Sequence, residues 1–211
     1  MIRGGLLASA GAAAVILAPV PAQAHRLDEY LQATRVAIAR DRVDLEIDLT
    51  PGATIAASIA TEIDTDQDGR FSPAEGEAYA RTALASITLS ADGRPLAVTL
   101  DDRNLPDRAA MLEGLGTIRL RASAPMPRAS GDDHTVEYVN SFRRASSVYL
   151  ANTMVPADPA LTIRSQARDP LQQRLTVTYA VASSRTRRAG AIGASLAVLL
   201  IAIGARRRAR R

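Results

Sequence analysis

The sequence predicts a mainly β chain, an antiparallel sandwich of short strands interrupted by one helix–loop–helix and followed by one C-terminal apolar helix. Three observations carry this. Apolar and charged residues alternate with period two near the start of the chain. The apolar spacing then turns helical on both sides of an acidic loop at residues 64–75 and returns to short strand-like runs. An uncharged apolar run at 189–205 closes the chain, apart from a short arginine-rich tail.

The two ends set the compartment. Residues 1–24 read as a secretory signal: Arg3 gives a positive start, an Ala/Leu/Val/Ile-rich run follows, and Ala22-Gln23-Ala24 fits the small-x-small cleavage pattern, which leaves His25 as the mature N-terminus. As a helix, the run at 189–205 would be about 25 Å long against a bilayer core of about 30 Å. Flanking arginines can snorkel, so it reads as a single transmembrane helix with the lipid bilayer as its partner. Arg206, Arg207, Arg208, Arg210 and Arg211 mark residues 206–211 as a cytoplasmic tail. Residues 25–184 are then the periplasmic or extracellular domain of a single-pass protein of the cell membrane. They carry all 22 acids but only 17 of the 26 arginines, so the domain is net negative and the pI of about 10.1 comes from the membrane-flanking arginines. That distribution gives no reason to expect a nucleic-acid partner. The absence of cysteine excludes thiol nucleophiles, thiolate zinc sites, iron–sulfur clusters and disulfides.

Within the domain, residues 31–39 and 42–49 predict a hairpin turning at Arg40-Asp41. In its second strand Val43, Leu45, Ile47 and Leu49 alternate with Asp44, Glu46 and Asp48. Pro51-Gly52 ends it. Ile55, Ile59 and Ile63 then fall at i, i+4 and i+8, a helix, and residues 73–86 predict a second helix with Tyr79, Ala80, Ala83 and Leu84 on one side. Residues 53–86 thus form an insertion after the first hairpin. Strands are expected at 87–90 and 96–100, joined through the Asp92-Gly93 turn signal. Further strands are expected at 117–122, 135–139, 147–151, 161–165 and 174–181. Short strands at this spacing suggest a sandwich of the immunoglobulin-like kind.

Residues 64–75 read Asp-Thr-Asp-Gln-Asp-Gly-Arg-Phe-Ser-Pro-Ala-Glu. An EF-hand loop supplies oxygens to Ca²⁺ from positions 1, 3, 5, 7, 9 and 12. Here these are Asp64, Asp66, Asp68, the Arg70 carbonyl, Ser72 and a bidentate Glu75. Gly69 stands where the loop turns sharply and Phe71 where an apolar side chain anchors it. Ser72-Pro73-Ala74-Glu75 is also a helix start in its own right. Three aspartates on alternate positions repel one another, and a bound cation relieves that repulsion. Such loops usually pair. A candidate partner at 102–113 has an acid at each end and Asn104 at its third position, but Pro106 at its fifth and Asp107 where glycine is needed, so the loop is read as unpaired.

Two histidines are present, His25 and His134. A terminal amine and imidazole on His25, with a second imidazole from His134, would suit Cu(II), which gives a transition-metal alternative to calcium. Ser146 and Ser147 lie in no Gly-x-Ser-x-Gly context and no phosphate-binding glycine loop occurs, so no enzyme is expected. Arg143-Arg144 could hold an anion, but reads rather as a solvated surface pair.

The segment from His25 to Ala33 (HRLDEYLQA), the loop at 64–75 and the run Ser147-Val148-Tyr149-Leu150-Ala151-Asn152 resemble the extracytoplasmic domain found ahead of the membrane helices in HupE/UreJ-like and nickel/cobalt-transporter-like bacterial proteins. The resemblance covers most of residues 25–181. It implies a β-rich domain tied to a transporter. This chain departs from the pattern in having one C-terminal span where those proteins have several. It therefore resembles an accessory or sensor module whose partner would be a multi-pass transporter.

Overall fold

A computed structural model describes residues 28–129 and 131–182. The segment expected to be a signal, His25, the apolar run at 189–205 and the arginine tail lie outside the described residues. Among the described residues, no helix is long and apolar enough to cross a membrane.

The chain opens with β1 (Tyr30–Ile38) and β2 (Arg42–Pro51), then α1 (Ala53–Ile63) and α2 (Pro73–Leu84). It continues through β3 (Ile87–Ala91), β4 (Arg94–Pro95), β5 (Thr99–Asn104), α3 (Arg108–Leu112) and β6 (Ile118–Pro125). It ends with β7 (Gly131–Asn140), β8 (Ser147–Thr153), β9 (Leu161–Arg168) and β10 (Arg174–Val181). The molecule is mainly β. Two five-stranded sheets have the orders β5-β6-β2-β1-β8 and β4-β3-β7-β10-β9.

The alternation read in the first hairpin has the predicted consequence. Val43, Leu45, Ile47 and Leu49 are all buried, and their charged neighbours face outward, where Arg35 pairs with Glu46 at 3.0 Å and Asp48 at 3.1 Å. Inward residues of both sheets, with Ile59 and Ile63 of α1 and Tyr79, Ala80 and Ala83 of α2, form one hydrophobic core. Burying a Leu or Ile side chain stabilises by about 1.5–3 kcal/mol, so this face outweighs the weak strand propensity of the acids beside it.

Two expectations need correction. The sheets are not wholly antiparallel: β8 lies parallel to β1, with Tyr30 opposite Ser147 and Val36 opposite Thr153. After β7, in the second sheet, the chain crosses to the first sheet and enters β8 in the direction of β1. A buried polar network fixes the crossing. Gln32 Nε2 donates to the Phe142 carbonyl (2.7 Å) and Ser147 Oγ (2.6 Å), and Asn140 Nδ2 donates to Gln32 Oε1 (2.9 Å). The Phe142 amide donates to Asn140 Oδ1 (2.9 Å) and the Tyr149 hydroxyl to the Phe142 carbonyl (2.7 Å).

Nor do residues 96–100 form the second arm of a hairpin. Asp92 and Gly93 both have positive φ and make the predicted turn, but the arm that returns along β3 is short: Arg94 and Pro95 pair with it, and the Leu96 amide donates to the Leu89 carbonyl at 2.8 Å. Pro95 has no N–H of its own to give, and after Leu96 the chain leaves for the edge of the first sheet as β5. That strand is exposed along most of its length and reads Thr-Leu-Asp-Asp-Arg-Asn, with no period-two apolar face.

Candidate metal centre

The acidic loop joins α1 to α2, and both helices fix it by burial. Ile59 and Ile63 hold the end of α1 in the core, and Tyr79, Ala80 and Ala83 hold α2. Asp64 caps the C-terminus of α1, its N–H bonded to the Ala60 carbonyl at 2.9 Å. Ser72 caps α2 in a full capping box with Glu75, and Pro73 opens the helix. Phe71 packs partly buried against the core, as its position in the loop predicted.

Each aspartate spends one carboxylate oxygen on a loop amide. Gly69 N–H donates to Asp64 Oδ2 at 3.1 Å, Asp68 N–H to Asp66 Oδ1 at 3.2 Å, and Arg70 N–H to Asp68 Oδ1 at 2.8 Å. Gly69 takes φ +82°, a conformation that an L side chain enters only at a cost of about 1–2 kcal/mol. The outcome is convergence: Asp64, Asp66 and Asp68 each offer a carboxylate oxygen within 4.8 Å of the others. Asp64 is 4% exposed, and its Oδ1 is buried without a hydrogen-bond partner. Leaving such an oxygen unmet is costly. A hard cation taking its ligands from oxygens would satisfy it, so the donor set fits calcium chemistry.

Glu75 is placed differently from the three aspartates. Its Oε1 accepts the Thr65 amide (2.6 Å) and the Thr65 hydroxyl (3.0 Å), and its Oε2 accepts the Ser72 amide and hydroxyl, both at 2.9 Å. The side chain ties the two ends of the loop together. The Ser72 amide and hydroxyl, then Thr65, hold its carboxyl down to about 2. The Ser72 hydroxyl is engaged in the same capping box. The structure therefore brings together Asp64, Asp66 and Asp68, and sets Ser72 and Glu75 beside them as the loop's clasp. Arg70 enters the geometry through its amide, bonded to Asp68.

A residue that sequence reasoning missed completes the electrostatics. Arg108, at the start of α3, brings Nε to 3.2 Å from Asp64 Oδ2. That nitrogen is buried and makes no well-aligned hydrogen bond, so the contact is one of charge. Only the folded chain brings α3 against α1. The sole hint in the sequence was the short Arg-Ala-Ala-Met-Leu run between Pro106 and Gly114.

The other singled-out residues lie elsewhere. His134 is on β7, its Nδ1 2.9 Å from Asp92 Oδ2 and its ring 5.5 Å from that of Tyr179. Its proposed partner His25 is outside the described residues. His134, then the Thr135 amide at 2.8 Å, holds the Asp92 carboxyl below its ordinary value. The solvated pair read at Arg143-Arg144 needs correction for Arg143, which pairs with Glu62 of α1 and lies over the rings of Tyr30 and Phe142, at 5.8 and 5.5 Å, while Arg144 is exposed. Ser147 belongs to the network that fixes the crossover.

No family model, curated protein or solved structure matches the chain at a significant level.

Proposed function

We propose that this chain is a calcium-binding module, anchored by one membrane span with its β domain on the outer side of the cell membrane, and accessory to a multi-pass transporter. The observation that carries the calcium reading is Asp64 Oδ1, a buried oxygen without a hydrogen-bond partner, on a carboxylate that converges with those of Asp66 and Asp68 in one tight loop. The role is structural. A lone loop of this kind binds at about 10⁻⁴–10⁻³ M, so the ion stabilises the domain by mass action rather than carrying a signal. The chain acts by binding and not by catalysis. Anchoring and orientation rest on the apolar run and its arginines, and the transporter partner on the resemblance of the mature start, the loop and the 147–152 run. In the same reading the two sheets make one immunoglobulin-like sandwich, supported by the Thr34 and Tyr138 hydroxyls meeting between the sheets at 2.8 Å.

The test is a thermal melt of the full chain in detergent, with chelator or with 10 mM calcium, beside Asp64→Asn. The asparagine keeps an oxygen for the Gly69 amide and loses the charge. For a Kd of about 10⁻⁴ M, that calcium concentration stabilises by about 2.7 kcal/mol, and the wild-type midpoint should rise by about 5–10 °C. The variant should not respond. An unresponsive wild type refutes the reading.

One observation favours a second reading, transition-metal delivery through His25 and His134. A carboxylate on one ring nitrogen, as Asp92 is on Nδ1, orients a histidine for ligation through the other. In that case one residue added ahead of the mature His25 should abolish tight copper binding.

A further inference from the structure

We propose that the apolar tip formed by residues 154–160 sits in the headgroup–acyl boundary of the bilayer to which the chain is tethered. This rests on the anchored reading above and adds a contact face to it.

The tip joins the edge strand of one sheet, β8, to the edge strand of the other, β9. It reads Met-Val-Pro-Ala-Asp-Pro-Ala, and its single charge, Asp158, is ion-paired with Arg40 of the β1–β2 turn. Val155 is 93% exposed and Met154 40% exposed, above a groove floored by Leu161 and Ile163. An apolar segment with its one charge neutralised loses little when it leaves water for the lipid interface.

Where the chain leaves the domain identifies what meets the tip. Val181, the last residue of β10, pairs with Leu161, and the Ala182 amide donates to the Ala160 carbonyl at 2.8 Å. The chain therefore exits at the tip itself. Six residues, 183–188, separate that point from the apolar run at 189–205. Fully extended, they reach about 24 Å. They include Arg185, Arg187 and Arg188, and no acid follows Asp169 anywhere in the chain, so the connection favours an anionic lipid surface. A valine and a methionine alone would hold a free domain weakly. Tethering turns their insertion into an intramolecular event at high effective concentration.

The opposite end faces away. β1 runs from Tyr30, beside Tyr79 and Arg143, to Ile38, close to the Arg40–Asp158 pair. Its nine residues span about 30 Å. The turn after β9 lies at the far end, where the Asn140 amide bonds the Gln173 carbonyl, and it carries Leu171, 65% exposed.

The chain has no tryptophan, so Val155→Trp and Leu171→Trp each provide a single tryptophan at an exposed site, excited at wavelengths the five tyrosines do not absorb. The full-length variants would be reconstituted into phosphatidylcholine–phosphatidylglycerol vesicles with bromine at shallow or deep acyl positions, and their flotation and fluorescence read together. The expected result is co-flotation of both variants. Emission from the Val155→Trp variant should be blue-shifted and quenched at least threefold more than that from the Leu171→Trp variant, most strongly by shallow bromine. Co-flotation with equal quenching of the two variants overturns the tip contact and leaves the anchor standing. Failure to float overturns both. A blue shift in the Val155→Trp variant without bromine quenching overturns the proposal in favour of a second copy of the chain covering the tip.

Discussion

At the scale of single residues, calcium in the acidic loop, as proposed above, would have to compete with a cation the fold already supplies. Arg108 places a fixed positive charge on Asp64 Oδ2, where it offsets part of the repulsion among the three aspartates and opposes a divalent ion arriving on Oδ1. Replacing Arg108 by Gln should tighten calcium binding by about fivefold, roughly 1 kcal/mol for a partly exposed charge, as measured by calorimetric titration. It should also lower the melting midpoint in chelator, where the guanidinium is the loop's own counter-charge. Asp92 makes a separate prediction about acid. Its carboxyl is held below the ordinary 3.8 by His134 and the Thr135 amide. It therefore contributes stability above that pH, and the contribution drains away as pH falls through and below it, because the unfolded chain takes up the proton first. Acid titration of Asp92→Asn should give a shallower loss of stability below about pH 4 than wild type.

At the scale of elements, the sequence was legible where the signal is local: an apolar face at a fixed period, a helix cap or a turn. Period two in β2, the i, i+4, i+8 isoleucines of α1, the Ser-Pro-Ala-Glu start of α2 and the Asp92-Gly93 turn all appear in the fold where the residues placed them. What escaped has a common cause: it depends on long-range partners. β5 is an exposed edge strand whose pairing with β6 comes from the sheet, and α3 is five residues long with only Met111 fully buried. Within the site, the alternate aspartates could be read directly. The clasp role of Glu75 was half legible in its capping box, and Arg108 was not legible at all. The seat of α3 is correspondingly tight. A Cβ on Gly116 would lie 2.7 Å from the Met111 Cα and 2.8 Å from the Pro106 ring. Gly116→Ala should therefore displace α3 and destabilise by about 1–3 kcal/mol. Because Arg108 moves with that helix, calcium affinity should change in the same variant, which a calcium titration alongside its melt will show.

At the scale of the whole molecule, the sheets are joined by polar groups as well as by oil. Gln32 and Thr34 stand on the buried face of β1, Gln32 bonded to Asn140, Phe142 and Ser147, and Thr34 to the Tyr138 hydroxyl. Gln32→Leu nearly conserves volume but leaves the Asn140 amide without its acceptor, a loss of about 1–3 kcal/mol that denaturant unfolding would read. The parallel pairing of β1 with β8 also has a kinetic side. β1 lies at the start of the described chain and its partner more than a hundred residues later, so the hairpin β1–β2 can form early while the outer edge of β1 waits for residues 147–153. During that interval the growing domain presents an unpaired strand edge, the surface on which chains join to one another. The late arrival of β8 is thus what retires the sticky edge, and a chain interrupted before residue 147 would be left with a permanent template for self-association.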